Sequence, residues 1–102
     1  MSARAPAAAP REDADVRATR LYDEALVWDD HSGFEPHPKA DLAKLALWHD
    51  AGVDYLSIDV GFDVMAWDAT LRTTAAFRRW LLARPEGFLL IDKASDAWRA
   101  KR

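Results

Sequence analysis

Apolar residues recur at Ala18, Leu21, Tyr22 and Ala25, the i, i+3, i+4, i+7 spacing of one helical face, and predict a first helix over Ala14–Glu24. The short apolar run Leu26, Val27, Trp28 then breaks abruptly into Asp29, Asp30, His31, Ser32 and Gly33. Such a run reads as a buried strand that delivers polar groups at its C-terminal end. Beyond a loop with Gly33, Pro36 and Pro38, Asp41 is placed to begin a second helix with the apolar face Leu42, Leu45, Ala46 and His49, stopped by Gly52. Residues 53–60 are rich in β-branched and aromatic side chains and predict strand two, ended by Gly61. Asp68 is a candidate cap for a third helix whose Phe77, Trp80 and Leu81 share a face and which Arg84 and Pro85 end. Residues 88–91 read as a last strand, before a helix that starts near Ser95.

Alternating helices and strands in this order predict βα units and a parallel sheet, an α/β fold. A parallel sheet needs both faces covered, and three short strands with these few helices leave apolar edges bare. The last helix has run barely two turns at Arg102. The pattern is therefore expected to be the opening part of a larger sheet, with residues 1–13 an Ala/Pro-rich disordered tail and residues 14–102 an incomplete domain.

Composition narrows the chemistry. Half of the 102 residues are apolar and 30% are charged, the balance of a globular protein, and 17 acidic against 14 basic residues give a net charge of −3. No basic field exists to attract phosphate backbones, so nucleic acid is not an expected partner. The basic run ending Trp98, Arg99, Ala100, Lys101, Arg102 reads as a solvated helix end. With no cysteine there is no disulfide framework, thiolate metal site or cysteine nucleophile, and any metal must take His and carboxylate ligands. No stretch approaches the ~20 apolar residues of a membrane span, and the opening lacks a secretory apolar core, so a cytoplasmic protein with no membrane partner is expected.

His31, with Asp29 and Asp30 beside it, stands where open α/β sheets and (β/α)8 barrels gather their ligands, at the C-terminal end of a strand. A neutral imidazole can bind zinc through one ring nitrogen while a carboxylate orients the other, a role open to Asp29. A loop cluster of this kind also serves as a cap or turn. His37, between two prolines, reads as an exposed loop residue, His49 as structural near a helix end, and Asp59 and Asp63 as caps of the turn around Gly61 or as lining of a pocket. The five tryptophans, irregularly spaced, are expected to serve packing.

The segment from Leu21 to His31 resembles the opening of the membrane (renal) dipeptidase family, in which a helix leads into strand one and a D-G-H-x-D motif. Asp29 and His31 fall on its first Asp and its His. The resemblance resumes at Asp41-Leu42-Ala43-Lys44-Leu45, similar to the family's D-L-x-x-L helix, and at Ala51-Gly52-Val53-Asp54 before strand two. Weaker matches are the helix from Phe77 to Arg84 and Ala94-Ser95-Asp96-Ala97, and coverage runs from about residue 20 to the end. Members of that family are (β/α)8-barrel (TIM-barrel) metallopeptidases that hold two zinc ions and hydrolyse dipeptides. The resemblance implies that His31 is a ligand of the first zinc, with Asp29 and Asp30 as orienting or alternative donors, and that a metal-activated hydroxide attacks the peptide carbonyl.

Two departures qualify the inference. The family's second ligand in this motif is an Asp two residues after the His, where this chain has Gly33, and Asp30 replaces the family's Gly. The family's bridging carboxylate and later histidines align beyond Arg102, and a full barrel takes about 250 residues. The expectation is the first two to three βα units of a partial barrel, inactive by itself and a poor zinc binder. The alternative is a small non-catalytic α/β remnant that pairs, or self-associates, through its open sheet and exposed apolar surface.

Overall fold

A computed structural model of the chain describes residues 7–33 and 35–101. The elements run α1 (Ala14–Glu24), β1 (Trp28–Ser32), a 3-10 turn (Leu42–Leu45) continuing into α2 (Ala46–Asp50), β2 (Tyr55–Ile58), α3 (Trp67–Leu82) and α4 (Ala94–Lys101). The fold is a mixed α/β arrangement around a two-stranded parallel sheet, and the described residues form no closed barrel.

Helix α1 has the expected bounds. Asp13, assigned from sequence to the tail, caps it by accepting from the amides of Asp15 (2.9 Å) and Val16 (3.4 Å). Arg20 bridges Glu12 at 3.0 Å and Glu24 at 3.4 Å, and the Glu12 hydrogen bond leads in holding its guanidinium above the ordinary arginine range. Within the tail, residues 7–13 are exposed and form neither helix nor strand, yet Glu12 and Asp13 anchor the helix. The expectation of disorder for residues 1–6 lies outside the described residues.

Strand β1 is displaced from its expected place. It comprises Trp28 to Ser32 and takes in the polar run, while Leu26 and Val27 only lead to it. Pairing sets this boundary: Val27 O accepts from the amides of Asp54 (2.9 Å) and Tyr55 (3.1 Å), and the ladder begins at Trp28 opposite Tyr55. Asp54 secures the same junction, its Oδ2 accepting from Val27 N at 2.8 Å and from Lys101 Nζ at 3.0 Å. One carboxylate therefore ties the starts of both strands to the end of α4.

On β2, Leu56 and Ile58, and Val60 just beyond, alternate onto one face and pack against a core of Leu42, Leu45 and Phe77. Trp80 and Phe88 join this core and meet edge to face, with centroids 5.2 Å apart. The opposite face carries Trp28 against Tyr55, with ring centroids 3.8 Å apart and planes tilted by 33°. Among the described residues, the helices pack on one face of the sheet, and Trp28 on the other is exposed. Of the five tryptophans, Trp48 and Trp80 are half-buried, as a packing role requires, while Trp28, Trp67 and Trp98 are exposed.

Three further expectations are corrected. Residues 88–91 form no strand: the amides of Gly87 and Phe88 are held by Arg84 O, so the segment opens as a continuation of the α3 end and faces β2 across a groove without a ladder. Asp68 does not cap α3, which begins after Ala66 with no side-chain cap; Asp68 instead pairs with Arg72 at 2.9 Å. The second helix starts as a 3-10 turn capped by Asp41, and this rotation puts Trp48 on the inner face and leaves His49 exposed.

The chain is elongated, about 82 × 30 × 23 Å, with residues 7–25 exposed and α1 burying no residue. The accessible surface is 8318 Å², against about 5,800 Å² for a folded monomer of this mass. The radius of gyration is 20.9 Å, against about 13 Å for a compact domain of this length.

Candidate functional site

The ladder pairs Asp29 with Leu56 and Ser32 with Ile58, so three steps along β1 match two along β2, and one extra residue is taken up between Asp29 and Ser32. This is a β-bulge, and it has a visible consequence. Asp29 and Ser32 are an odd number of residues apart and should face opposite ways, yet both bond the same group: Trp48 Nε1 donates to Asp29 Oδ2 and to Ser32 Oγ, each at 3.1 Å. Both therefore lie on the helix-covered face. The bulged pair Asp30 and His31 goes the other way. Trp28 Nε1, on the open face, donates to Asp30 Oδ1 at 3.2 Å.

His31 reaches across to β2, with Nδ1 at 3.4 Å from Asp59 Oδ1. Asp59 follows Ser57 and Tyr55 in the alternation that puts Leu56, Ile58 and Val60 in the core, so it belongs to the open face. Its amide donates to Ser32 O at 3.4 Å, which holds the two strand ends together. Gly33 makes this approach possible: its φ is +130°, and a Cβ there would lie 3.3 Å from Ile58 Cγ2. A side chain at position 33, where the resembled family has its second ligand, would be strained and pressed against β2.

The pair opens onto a shallow recess of about 310 Å³, lined also by Pro36 and Phe62. Its size is at the lower end of small-ligand sites. The His31 side chain is 85% exposed and that of Asp59 46%. A larger groove, about 480 Å³, lies along β2 beside residues 86–91, away from His31.

His31 and Asp59 offer an imidazole and a carboxylate, donor types that zinc accepts, against the four of a tetrahedral site. Asp29 is engaged by Trp48 and Asp30 by Trp28. Among the described residues no three His, Cys, Asp or Glu side chains gather as a metal site, so these residues offer part of a donor set. The other histidines stand apart: His37 Nδ1 accepts from Lys39 N at 3.0 Å within a turn, and His49 lies 3.5 Å from Asp50. The sequence picks out His31 and leaves Asp59 either in the turn around Gly61 or lining a pocket; Asp59 lines the recess with His31, and the alternation Ser57, Ile58, Asp59, Val60 is the signal that puts it on the open face.

Comparison with protein-family models, with curated proteins and with solved structures finds no match to this chain. No helix among the described residues is long and apolar enough to cross a membrane.

Proposed function

We propose that this chain forms the first βα units of a metal-dependent hydrolase acting on a peptide or amide bond, with dipeptides the substrate class implied by its resemblance to the membrane dipeptidases. One observation carries the reading: His31 and Asp59 face each other 3.4 Å apart at the C-terminal ends of adjacent parallel strands, on the face opposite the core of Leu42, Leu45 and Phe77. Parallel α/β enzymes assemble their chemistry at that rim. With Nδ1 turned to Asp59, His31 presents Nε2 as its ligating nitrogen, the carboxylate fixing ring and tautomer. A bound zinc ion would supply Lewis-acid polarisation of the scissile carbonyl and an activated water. The chain's own residues orient the imidazole, and Pro36 and Phe62 wall the recess.

The test is competition of the purified chain with a chromophoric chelator for Zn2+, comparing wild type with His31→Ala, His37→Ala and His49→Ala. A single protein donor, His31 Nε2, should give a weak site, removed by His31→Ala alone, and no dipeptide hydrolysis. A His31→Ala variant with unchanged affinity overturns the metal assignment. That outcome would favour a second reading, a non-catalytic α/β unit that pairs through its open sheet, supported by the exposure of Trp28 on that face.

A further inference from the structure

The bulge in β1 is held from behind by a single indole. Trp48, on α2, is half-buried against the core of Leu42, Leu45 and Phe77, and its carbonyl accepts from Val53 N at 3.0 Å just before β2. Its Nε1–H is shared between Asp29 Oδ2 and Ser32 Oγ, the two residues that flank the bulged pair. Each flank is tied in turn to one member of the pair at the rim. The other carboxylate oxygen of Asp29, Oδ1, accepts from His31 N at 3.4 Å, and Ser32 O accepts from Asp59 N, also at 3.4 Å.

We propose that Trp48 is a positioning residue: its indole N–H selects the bulged register and thereby turns His31 to the open face. In a regular ladder continued from Asp29 opposite Leu56, His31 would stand opposite Ile58. Two positions from Asp29, it would then share the core face with it, away from Asp59. A slip of one residue separates the two arrangements and moves every side chain beyond it to the other face. Only in the bulged register do Asp29 and Ser32 come to the same side, so only there can one N–H reach both. On the other face Trp28 Nε1 donates to Asp30 Oδ1, so the bulge is gripped from both sides.

Packing alone asks neither bond of Trp48. Asp29 is half-buried, and a carboxylate drawn out of water needs a donor, which the indole supplies. Asp29 acts on the backbone of His31 rather than on its ring, whose Nδ1 faces Asp59. The service of Trp48 to a metal rests on the reading of His31 as its ligand; its hold on the register does not.

NMR of the full chain without metal tests it, comparing wild type with Trp48→Phe, which keeps an aromatic ring but no donor, and with Trp80→Phe, a packing control in the same core. In wild type, cross-strand NOEs should set Ile58 opposite Ser32, and the neutral His31 ring should carry its proton on Nδ1, towards Asp59. Trp48→Phe should shift the register at least about tenfold towards His31 opposite Ile58 and move the ring towards the Nε2–H tautomer, and Trp80→Phe should do neither. Ser32→Ala, which removes one acceptor, should move both readouts the same way by less. Zn2+ affinity, by chelator competition, should fall about tenfold in Trp48→Phe. If wild type binds no Zn2+ through His31, the metal reading fails, while register and tautomer still decide the role of Trp48. A folded Trp48→Phe, or failing that Ser32→Ala, with wild-type register and tautomer would overturn the proposal, as would equal changes in Trp80→Phe.

Discussion

Replacing Asp54 by Ala should loosen the whole sheet. Its Oδ2 accepts from Val27 N at 2.8 Å and Lys101 Nζ at 3.0 Å, and the side chains of Asp54 and Lys101 are only 16% and 21% exposed. Hydrogen bonds to a charged group contribute about 1.5–3 kcal/mol, and the ion pair, still reached by solvent, adds at most about 1 kcal/mol. Truncation also leaves Val27 N–H unpaired, so a loss of about 2–4 kcal/mol is expected. A chain of this length holds about 5–15 kcal/mol in all, and so open a one should sit near the lower limit. At about 4–8 °C per kcal/mol for a small domain, the midpoint should fall by about 8–32 °C. Thermal melts followed by circular dichroism measure it. Lys101→Met, which removes only the pair, should cost about 1 kcal/mol or less, and the double variant should resemble Asp54→Ala alone. An Asp54→Ala midpoint matching wild type would refute the assignment of this carboxylate as the tie between the strand starts and α4.

Gly52 has φ +86°, and a Cβ there would lie 2.8 Å from Tyr22 Cε1. Gly52→Ala should cost about 1–2 kcal/mol in backbone strain alone, more if the Tyr22 hydroxyl loses Ala51 O; a melt unchanged from wild type would contradict this. The Asp96 carboxylate accepts from Asp92 N and Lys93 N at 3.1 and 3.2 Å, and the Asp92 amide leads in lowering its pKa. A depressed carboxylate stabilises above its unfolded pKa, about 3.9, and that contribution is lost as pH falls through the lower folded value. Amide shifts of Asp92 and Lys93 should therefore report loosening of α4 below about pH 4, and Asp96→Asn should remove this transition; a wild-type α4 unchanged down to pH 2 would contradict it.

Local signals were legible where local physics decides. The bounds of α1 follow from its period, and strand two lay within its β-branched run. Strand one was misplaced because hydrophobicity marks burial, while a ladder is defined by backbone pairing; Asp29 to Ser32 are polar and still in the strand. The bulge that separates His31 from Asp29 depends on the register against β2, which no local pattern encodes. Residues 88–91 show the converse: a strand-like composition whose first amide, that of Phe88, is taken by Arg84 O, leaving Phe88 to the core without a ladder. His31 was found because an imidazole after an apolar run is a local feature, and Asp59 was missed as its partner because that contact joins two strands.

The most direct test of the rim assignment is a Zn2+ titration of 15N-labelled chain, observed through the histidine ring nitrogens and the backbone amides. The account predicts that Nε2 of His31 shifts first, with the amides of Gly33 and Asp59 following and His37 and His49 unmoved. Shifts confined to His37 or His49, or a His31 ring indifferent to the metal at saturation of other sites, would contradict it.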